Sequence, residues 1–362
     1  MDPLRRRLRK VFAHTDADVI VLMNTSLSDS NIAYLTGLNG IFEGCVLMAT
    51  PSRIEFFATA LDSAAGASRV SSRLHASTLS STQQLRSAFA ALKGKRIGIN
   101  ARFLPYANYL MLKRHATPRA IVDVSGALEA ARMVKDHAEI MNIRRANRIT
   151  KRAFSYIPHY FRAGITERQL AALLDNIMRS NGAADAAFAT IVAFGANTAI
   201  PHHVPGETRL RLGQFILIDA GARYNGYCSD LTRTFIFDKE TARRRRRRYA
   251  KMRDMYETVR KAQEAALRLA RPGVECERLH NAAARLINTS HNGVYSGRFI
   301  HALGHSIGLD VHDGGFVIAP GCRTRLMRGM VFSNEPGIYI KGFGGVRLED
   351  DMLITERGAV VL

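Results

Sequence analysis

Two segments of this 362-residue chain each set a pair of acids symmetrically about a turn, and no other feature restricts the fold as much. In the first, the apolar run Ile216-Leu217-Ile218 ends in Asp219, Asn225-Gly226 supplies a hairpin turn, and Tyr227-Cys228-Ser229-Asp230 returns. If these arms pair, Asp219 and Asp230 lie opposite or diagonal, within reach of neighbouring ions. In the second, Phe332-Ser333-Asn334-Glu335 leads into the glycine-rich Gly342-Phe343-Gly344-Gly345, and Val346-Arg347-Leu348-Glu349 comes back. Glu335 and Glu349 are equally distant from Gly342. Taken singly, Asp219 reads as a strand-end cap and Asp230 as a solvated edge residue. Yet Asp219 follows three residues of buried type, where an unpaired charge is costly. A pseudo-twofold arrangement around one shared site explains both hairpins.

Between the hairpins runs His301-Ala302-Leu303-Gly304-His305-Ser306-Ile307-Gly308-Leu309-Asp310-Val311-His312. A lone histidine is more often a satisfied core or surface residue than a ligand. Three of them among glycines, in a segment that reads as extended, are harder to dismiss. Gly304 and Gly308 permit close backbone approach around His305, and His312 is better placed for substrate than for metal. His202, in Ile200-Pro201-His202-His203, reads on its own as a loop histidine. Asp219, Asp230, His305, Glu335 and Glu349 together make a hard, oxygen-rich donor set suited to two divalent ions. Such a pair activates water and polarises an acyl or phosphoryl bond. Arg347 shares a strand face with Glu349 and is expected to hold a carboxylate ionised and oriented. Thr232 is assigned the same supporting role.

Length favours two domains, and 47% hydrophobic content suits a full-sized core. Residues 1–127 alternate short apolar runs with turn signals, an α/β pattern with strands at Val19–Met23, Cys45–Ala49, Ile54–Ala58 and Arg96–Asn100. Residues 128–362 read as helices and then β-type runs, among them Phe215–Asp219, Tyr227–Phe237, Met330–Ile340 and Val346–Thr355, with two helices between, giving an α+β chain rather than a doubly wound parallel sheet. From Leu128 to about Tyr160 the composition turns helical and basic, with a run of heptad-like apolar positions. A second helix opens at the Thr166/Gln169 capping box, and others span residues 241–269 and 276–289. The four cysteines form no CxxC pair and imply neither a thiolate metal site nor a disulfide framework. No apolar run reaches membrane-spanning length, and the basic N-terminus is followed by a stretch broken by His14, Asp16 and Asp18, so a cytoplasmic protein is expected. The formal charge of +21 owes part of its size to the run Arg243–Arg248. That run reads as the solvated first turns of a helix. With no nucleic-acid motif beside it, nucleic acid is not expected as a partner.

The segments PHHVP, LIDAGARYNGYCSDLTRTF, HALGHSIGLDVHD, EPGIYI and GGVRLEDD resemble, in order and spacing over about residues 130–358, the motifs of the pita-bread metallopeptidases. The aminopeptidase P and prolidase branch is the nearest. Asn31-Ile32-Ala33-Tyr34-Leu35-Thr36-Gly37 is similar to the creatinase-type domain that precedes the catalytic domain there. The resemblance implies that Asp219, Asp230, His305, Glu335 and Glu349 bind two metals, manganese or cobalt before iron or zinc. It implies that Glu335 is also general base and that His202 and His312 contact substrate and the tetrahedral intermediate. His301 is implied as a pocket residue. It further implies short proline-containing peptides as substrates and a homodimer. Dipeptidase relatives clamp the substrate's free carboxylate with an arginine soon after the second histidine. Here that stretch is Asp313-Gly314-Gly315-Phe316, leaving Arg323 or Arg325 as substitutes, which tilts the reading towards an aminopeptidase over a dipeptidase. The competing readings are a creatinase-like or binding protein of the same fold that works without metal, and a lyase. The complete five-residue set speaks against the metal-free ones, and nothing in the sequence requires the lyase.

Overall fold

The structure, a computed structural model, describes residues 2–24, 29–38, 44–60, 62, 74–238 and 246–362. The chain separates into two compact units, Met1–Arg132 and Met133–Leu362.

The first unit is built on a six-stranded mixed sheet. Its strands are β1 (Val19–Met23), β2 (Val46–Ala49), β3 (Ile54–Ala58), β4 (Leu74–Thr78), β5 (Arg96–Ile99) and β6 (Ala120–Asp123), in the order β4-β3-β2-β1-β5-β6. The strands β1, β2 and β3 pair antiparallel, whereas β4, β5 and β6 each join parallel to a neighbour. Every residue of the central β1 is buried, as its unbroken Val-Ile-Val-Leu-Met sequence requires. Helices α1 (Pro3–Phe12), α2 (Ser30–Thr36), α3 (Thr82–Ala90), α4 (Tyr106–Ala116) and α5 (Ser125–Met133) complete it. Leu85, Phe89 and Leu112 of α3 and α4 pack on Val19, Val21 and Ile97 of the sheet. The Asn31–Gly37 motif forms α2, closed by Gly37 at φ +71°.

The second unit opens with α6 (His137–Tyr156) and α7 (Glu167–Ser180). The helical stretch expected from Leu128 to Tyr160 is interrupted at residues 134–136. Asp136 caps α6 there, its side chain accepting from Glu139 N while Glu139 reaches back to the Asp136 amide. Thr166 and Gln169 form the anticipated box on α7. Next come β7 (Asp185–Ala186), β8 (Ile191–Phe194), β9 (Gln214–Ala220), β10 (Ala222–Tyr224), β11 (Tyr227–Cys228) and β12 (Leu231–Phe237). Two helices follow, α8 (Arg246–Leu269) and α9 (Cys276–Thr289). Arg243–Arg245, the start of the arginine run, lie outside the described residues. The chain ends in β13 (Gly304–His305), β14 (Val317–Ile318), β15 (Val331–Asn334), β16 (Gly337–Ile340), β17 (Gly344–Arg347), β18 (Asp350–Ile354) and β19 (Ala359–Val361). Met252, Val259 and Ala266 of α8 and Leu279 and Ile287 of α9 share one core with Phe332, Ile338 and Val346 of the closing strands. A second core joins α6 and α7 to β8 and β9 through Ile149, Leu170, Leu174, Val192, Ile216 and Ile218. Burial of each such Val, Leu, Ile, Phe or Met side chain contributes roughly 1.5–3 kcal/mol. Among the described residues, no helix is long and apolar enough to cross a membrane.

Candidate metal centre and catalytic cavity

Both acid hairpins form, and each is interrupted, the first at Asp230 and the second at Glu335 and Glu349. In the first, β9 pairs with β12 and β10 with β11 in one continuous register. The turn at its centre is Asn225-Gly226, at φ +48° and +84°, the left-handed pair that a two-residue hairpin of this twist needs. Asp219 faces Thr232 directly, so Asp230, two residues before Thr232, lies diagonal to Asp219. The strand breaks at Ser229-Asp230, where the Asp230 amide leaves the ladder and donates to Asp351 Oδ2 at 3.0 Å.

The second hairpin runs as β16 with β17 and then, past a break, β15 with β18. Gly337 faces Arg347 and Asn334 faces Asp350, so the break falls opposite itself at Glu335-Pro336 and Leu348-Glu349. Pro336 has no N–H to give a ladder. Glu335 N donates instead to Leu303 O at 2.8 Å, beside the strand of His305, and Glu349 N donates to Thr232 O at 3.1 Å on the first hairpin. The released backbone thus ties the hairpins to each other and to the histidine segment. The turn itself spans only Lys341–Phe343. Gly344 and Gly345 lie within β17, where a Cβ on Gly345 would come within 2.2 Å of Thr198 O. Close packing, not turning, requires that glycine.

The histidine segment is extended only at Gly304-His305, and Ser306–Gly314 is an irregular loop. Gly304 meets the expectation of close approach, since a Cβ there would lie 1.8 Å from Ser333 O. His305 Nε2 lies 3.3 Å from Glu335 Oε1 and 3.5 Å from Asp230 Oδ2. Its Nδ1 is 3.0 Å from Val311 O, which fixes the proton there and leaves Nε2 to face the acids.

These residues line one cavity of about 320 Å3, together with His202, His301, His312, Arg347, Phe188, Ile191, Pro201, Ala302 and Val311. His202 is exposed on the loop after residues 195–199. The His312 ring stands edge-on to His305, with centroids 4.1 Å apart at 76°. Desolvation, and then the neighbouring His305, hold its pKa below the usual histidine value. His301 Nε2 is 2.9 Å from Tyr339 Oη, and burial lowers its pKa. Arg323 and Arg325, considered above as substitute clamps, are not in the cavity. Both are exposed and engaged with Glu275, at 3.4 Å and 3.1 Å. Among the described residues, Arg347 is the only arginine or lysine lining it.

Arg347 is buried and works on Asp219 rather than on Glu349. Its Nη2 donates to Asp219 Oδ2 at 2.6 Å, its Nε to Thr232 Oγ1 at 3.1 Å and its Nη1 to Tyr339 Oη at 3.1 Å. Thr232 in turn donates to Glu349 Oε2 at 2.5 Å. Replacing Arg347 by Met leaves Asp219 buried without its cation, and a destabilisation of about 3–5 kcal/mol is expected. Urea unfolding of the metal-free protein measures it; an unchanged midpoint would remove Arg347 from that role.

The donor set fits divalent metal. Asp219 Oδ1, Asp230 Oδ1 and Glu349 Oε1 are buried and, among the described residues, accept no hydrogen bond. Asp230, His305 and Glu349 each present a donor atom within 4.8 Å of the others. Burial, then the charges of Glu349, Asp219 and other acids, pushes the Asp230 carboxyl well above the ordinary range. Burial, then Glu335 and Asp219, does the same to Glu349, and burial raises Asp219 against the pull of Arg347. Glu335 differs: burial opposes its ionisation, but the hydrogen bond and charge of His305, then Arg347, keep its pKa below the ordinary value. Crowded buried anions of this kind are costly without a cation among them.

Three supporting residues escaped the sequence reading. Asp351 is fully buried, takes the Asp230 amide and Asn147 Nδ2, and burial raises its pKa to about 7. Tyr339 bridges His301 to Arg347. Ser333 Oγ contacts the His305 amide at 3.1 Å. Only the alternation of β18 and β16 carried any signal for Asp351 and Tyr339.

With this geometry established, residues 141–356 match the metallopeptidase family M24, and residues 5–134 match the creatinase/prolidase N-terminal domain. An Xaa-Pro dipeptidase of Pyrococcus horikoshii is 31% identical over 99% of this chain and 97% of its own. The solved structure of an Xaa-Pro dipeptidase from Bacillus anthracis is similar at a TM-score of 0.87 and 28% identity, covering 99% of this chain and 96% of that one. An X-Pro aminopeptidase structure from Thermotoga maritima matches at the same TM-score and identity, over 97% of both chains. The chain belongs to metallopeptidase family M24. Its second unit is the pita-bread catalytic domain of that family and its first the creatinase-type domain, as the motif resemblance implied.

Proposed function

We propose that this protein is a metal-dependent exopeptidase that hydrolyses the Xaa-Pro bond at the N-terminus of peptides. The observation that carries the reading is the meeting of Asp219, Asp230, His305, Glu335 and Glu349 with three histidines in one cavity. In this reading the five hold two divalent ions, manganese or cobalt before iron or zinc, as an oxygen-rich set with one imidazole prefers. Such ions supply activated water at neutral pH and polarise the scissile carbonyl. Glu335, the acid kept ionised, accepts a proton and passes it towards the leaving nitrogen. His312, uncharged at neutral pH, donates to the oxygen that gains charge, and His202 approaches from the open side. Phe188 and Ile191 offer an apolar wall for a pyrrolidine ring, whose imide nitrogen brings no N–H to satisfy. Arg347 and Thr232 hold Asp219 and Glu349 in place from behind. A homodimer in a reducing, cytoplasmic setting completes the reading, in keeping with three buried and unpaired cysteines.

A second reading, Xaa-Pro dipeptidase, is favoured by the relatives that carry that name. Against it stands the cavity, where, among the described residues, no arginine or lysine other than Arg347 awaits a substrate carboxylate. Metal-depleted and manganese-supplemented protein assayed on Xaa-Pro and Xaa-Pro-Yaa decides the matter. Manganese-dependent release of Xaa from the tripeptide is expected. Turnover of the dipeptide alone would transfer the assignment to the dipeptidase, and turnover of neither would sink both.

A further inference from the structure

Residues 134–136 form a strap between α5 and α6, and Lys135 at its middle turns its ammonium inward. Lys135 Nζ lies 3.2 Å from Asp313 Oδ2, with the two side chains 1% and 2% exposed. The strap is fixed at its backbone as well, since Lys135 N donates to Gly329 O at 2.9 Å. Gly329 has φ +89°, and a Cβ there would come within 3.0 Å of Lys135 O. The ammonium therefore starts from a rigid anchor.

Asp313 is the point about which the Ser306–Gly314 loop closes. Its amide donates to Ser306 O at 3.0 Å, and its Oδ1 accepts from Asp310 N at 3.2 Å. Its carboxylate lies so near Gly308 that a Cβ there would sit 2.4 Å from Oδ2. Ser306 Oγ donates to Gly314 O and closes the loop on itself. This loop supplies the Val311 carbonyl that orients His305, and it carries His312 beside Asp313. Neither Lys135 nor Asp313 lines the cavity. An apolar pair would fill the same space without desolvating two charges. What the ion pair adds is a fixed distance and direction between strap and loop.

We propose that Lys135 and Asp313 are a positioning pair that fixes the Ser306–Gly314 loop and, through it, the ring of His312 over the cavity. The proposal rests on the catalytic reading above. Manganese-loaded K135M, K135R and the neutral double variant K135M/D313N would be assayed for kcat and KM separately, with bound manganese measured on each. The double variant leaves no lone buried charge, so it remains informative if K135M fails to fold. A misplacement of about 1 Å at a reacting centre costs about 10²-fold, so a kcat loss of that order is expected for K135M/D313N, with KM and manganese content little changed. K135R, which keeps the charge, should recover most of kcat. Adding H312A to K135M/D313N should cause little further loss, because both changes act through one ring. Hydrogen exchange of the 306–314 amides should quicken in the double variant while α9 stays protected.

Wild-type kcat in K135M/D313N, losses that multiply with H312A, or loop amides as protected as in the wild type would each overturn the proposal. A wild-type protein that cleaves no Xaa-Pro peptide overturns the catalytic reading instead, and exchange alone then decides whether the pair anchors the loop.

Discussion

Glu335→Gln lowers kcat/KM on an Xaa-Pro-Yaa peptide by about 10²–10⁴-fold, the range expected when a positioned general base is lost. The expectation follows from a contrast within one cavity. Asp219, Asp230 and Glu349 are acids whose ionisation burial and mutual repulsion disfavour, whereas His305 and Arg347 keep Glu335 ionised. A carboxylate that must take up and give back a proton needs that state at neutral pH. Glutamine keeps the shape and one oxygen towards His305 Nε2, now 3.3 Å from Glu335 Oε1, but it cannot accept the proton. The loss should fall on kcat more than on KM, because the proton moves only on the way to the transition state. Bound manganese measured on the same sample separates a missing base from a missing ligand. Full activity in E335Q, with metal at wild-type content, would take the base role away from this residue.

How much of this site was legible in the sequence depends on the kind of signal each residue left. The pairing of Glu335 with Glu349 could be counted from Gly342, because an antiparallel register is a sum of two residue numbers and the chain preserves it across the break. Asp219 and Asp230 were legible for the same reason, with Asn225-Gly226 marking the centre. The breaks were not foreseen. Long β-type runs such as Met330–Ile340 and Tyr227–Phe237 each split into two strands at an acid, where the amides of Glu335 and Asp230 turn away to Leu303 O and Asp351 Oδ2. The interruption of the helical stretch at residues 134–136 had a signal, the Asp136/Glu139 capping box, that heptad-like spacing concealed. His202 could not be raised above a loop histidine by pattern alone, because nothing local distinguishes it from His203, which pairs with Glu167 at 2.8 Å outside the cavity. Asp351 left no pattern beyond the alternation of β18, and Lys135 none at all. Their partners, Asn147 and Asp313, are far away in sequence, and a buried polar pair is specified by packing rather than by spacing.

Metal removal should leave a protein whose stability falls as the pH rises. In the unfolded chain these carboxyls titrate near 4. In the metal-free fold Asp230 and Glu349 are pushed well above their ordinary values, Asp219 is raised and Asp351 lies at about 7, with burial the leading cause in each. Between about pH 4 and 7 the folded state therefore holds more protons than the unfolded one, and unfolding becomes easier with each step up in pH. Glu335, with its lowered pKa, acts only below this window, whereas His280, His301 and His312, lowered chiefly by burial, pull the other way below about pH 6.5, and His305, raised against its burial by Glu335, sides with the four acids. Divalent ions compete with protons for the same oxygens, so their benefit should be larger at pH 7.5 than at pH 5.5. Ions at about 100 times their Kd contribute about 2.7 kcal/mol, a rise of roughly 5–10 °C in Tm for a unit of this size. Thermal unfolding of chelator-treated protein at the two pH values, with and without manganese, measures both effects. A metal-free Tm that climbs between pH 5.5 and 7.5, or one that no divalent ion moves, would mean that these acids do not share a buried cation site. The size of the response also bears on the proposed mechanism, because the repulsion that weakens the metal-free cluster is the same field that would draw divalent cations into it.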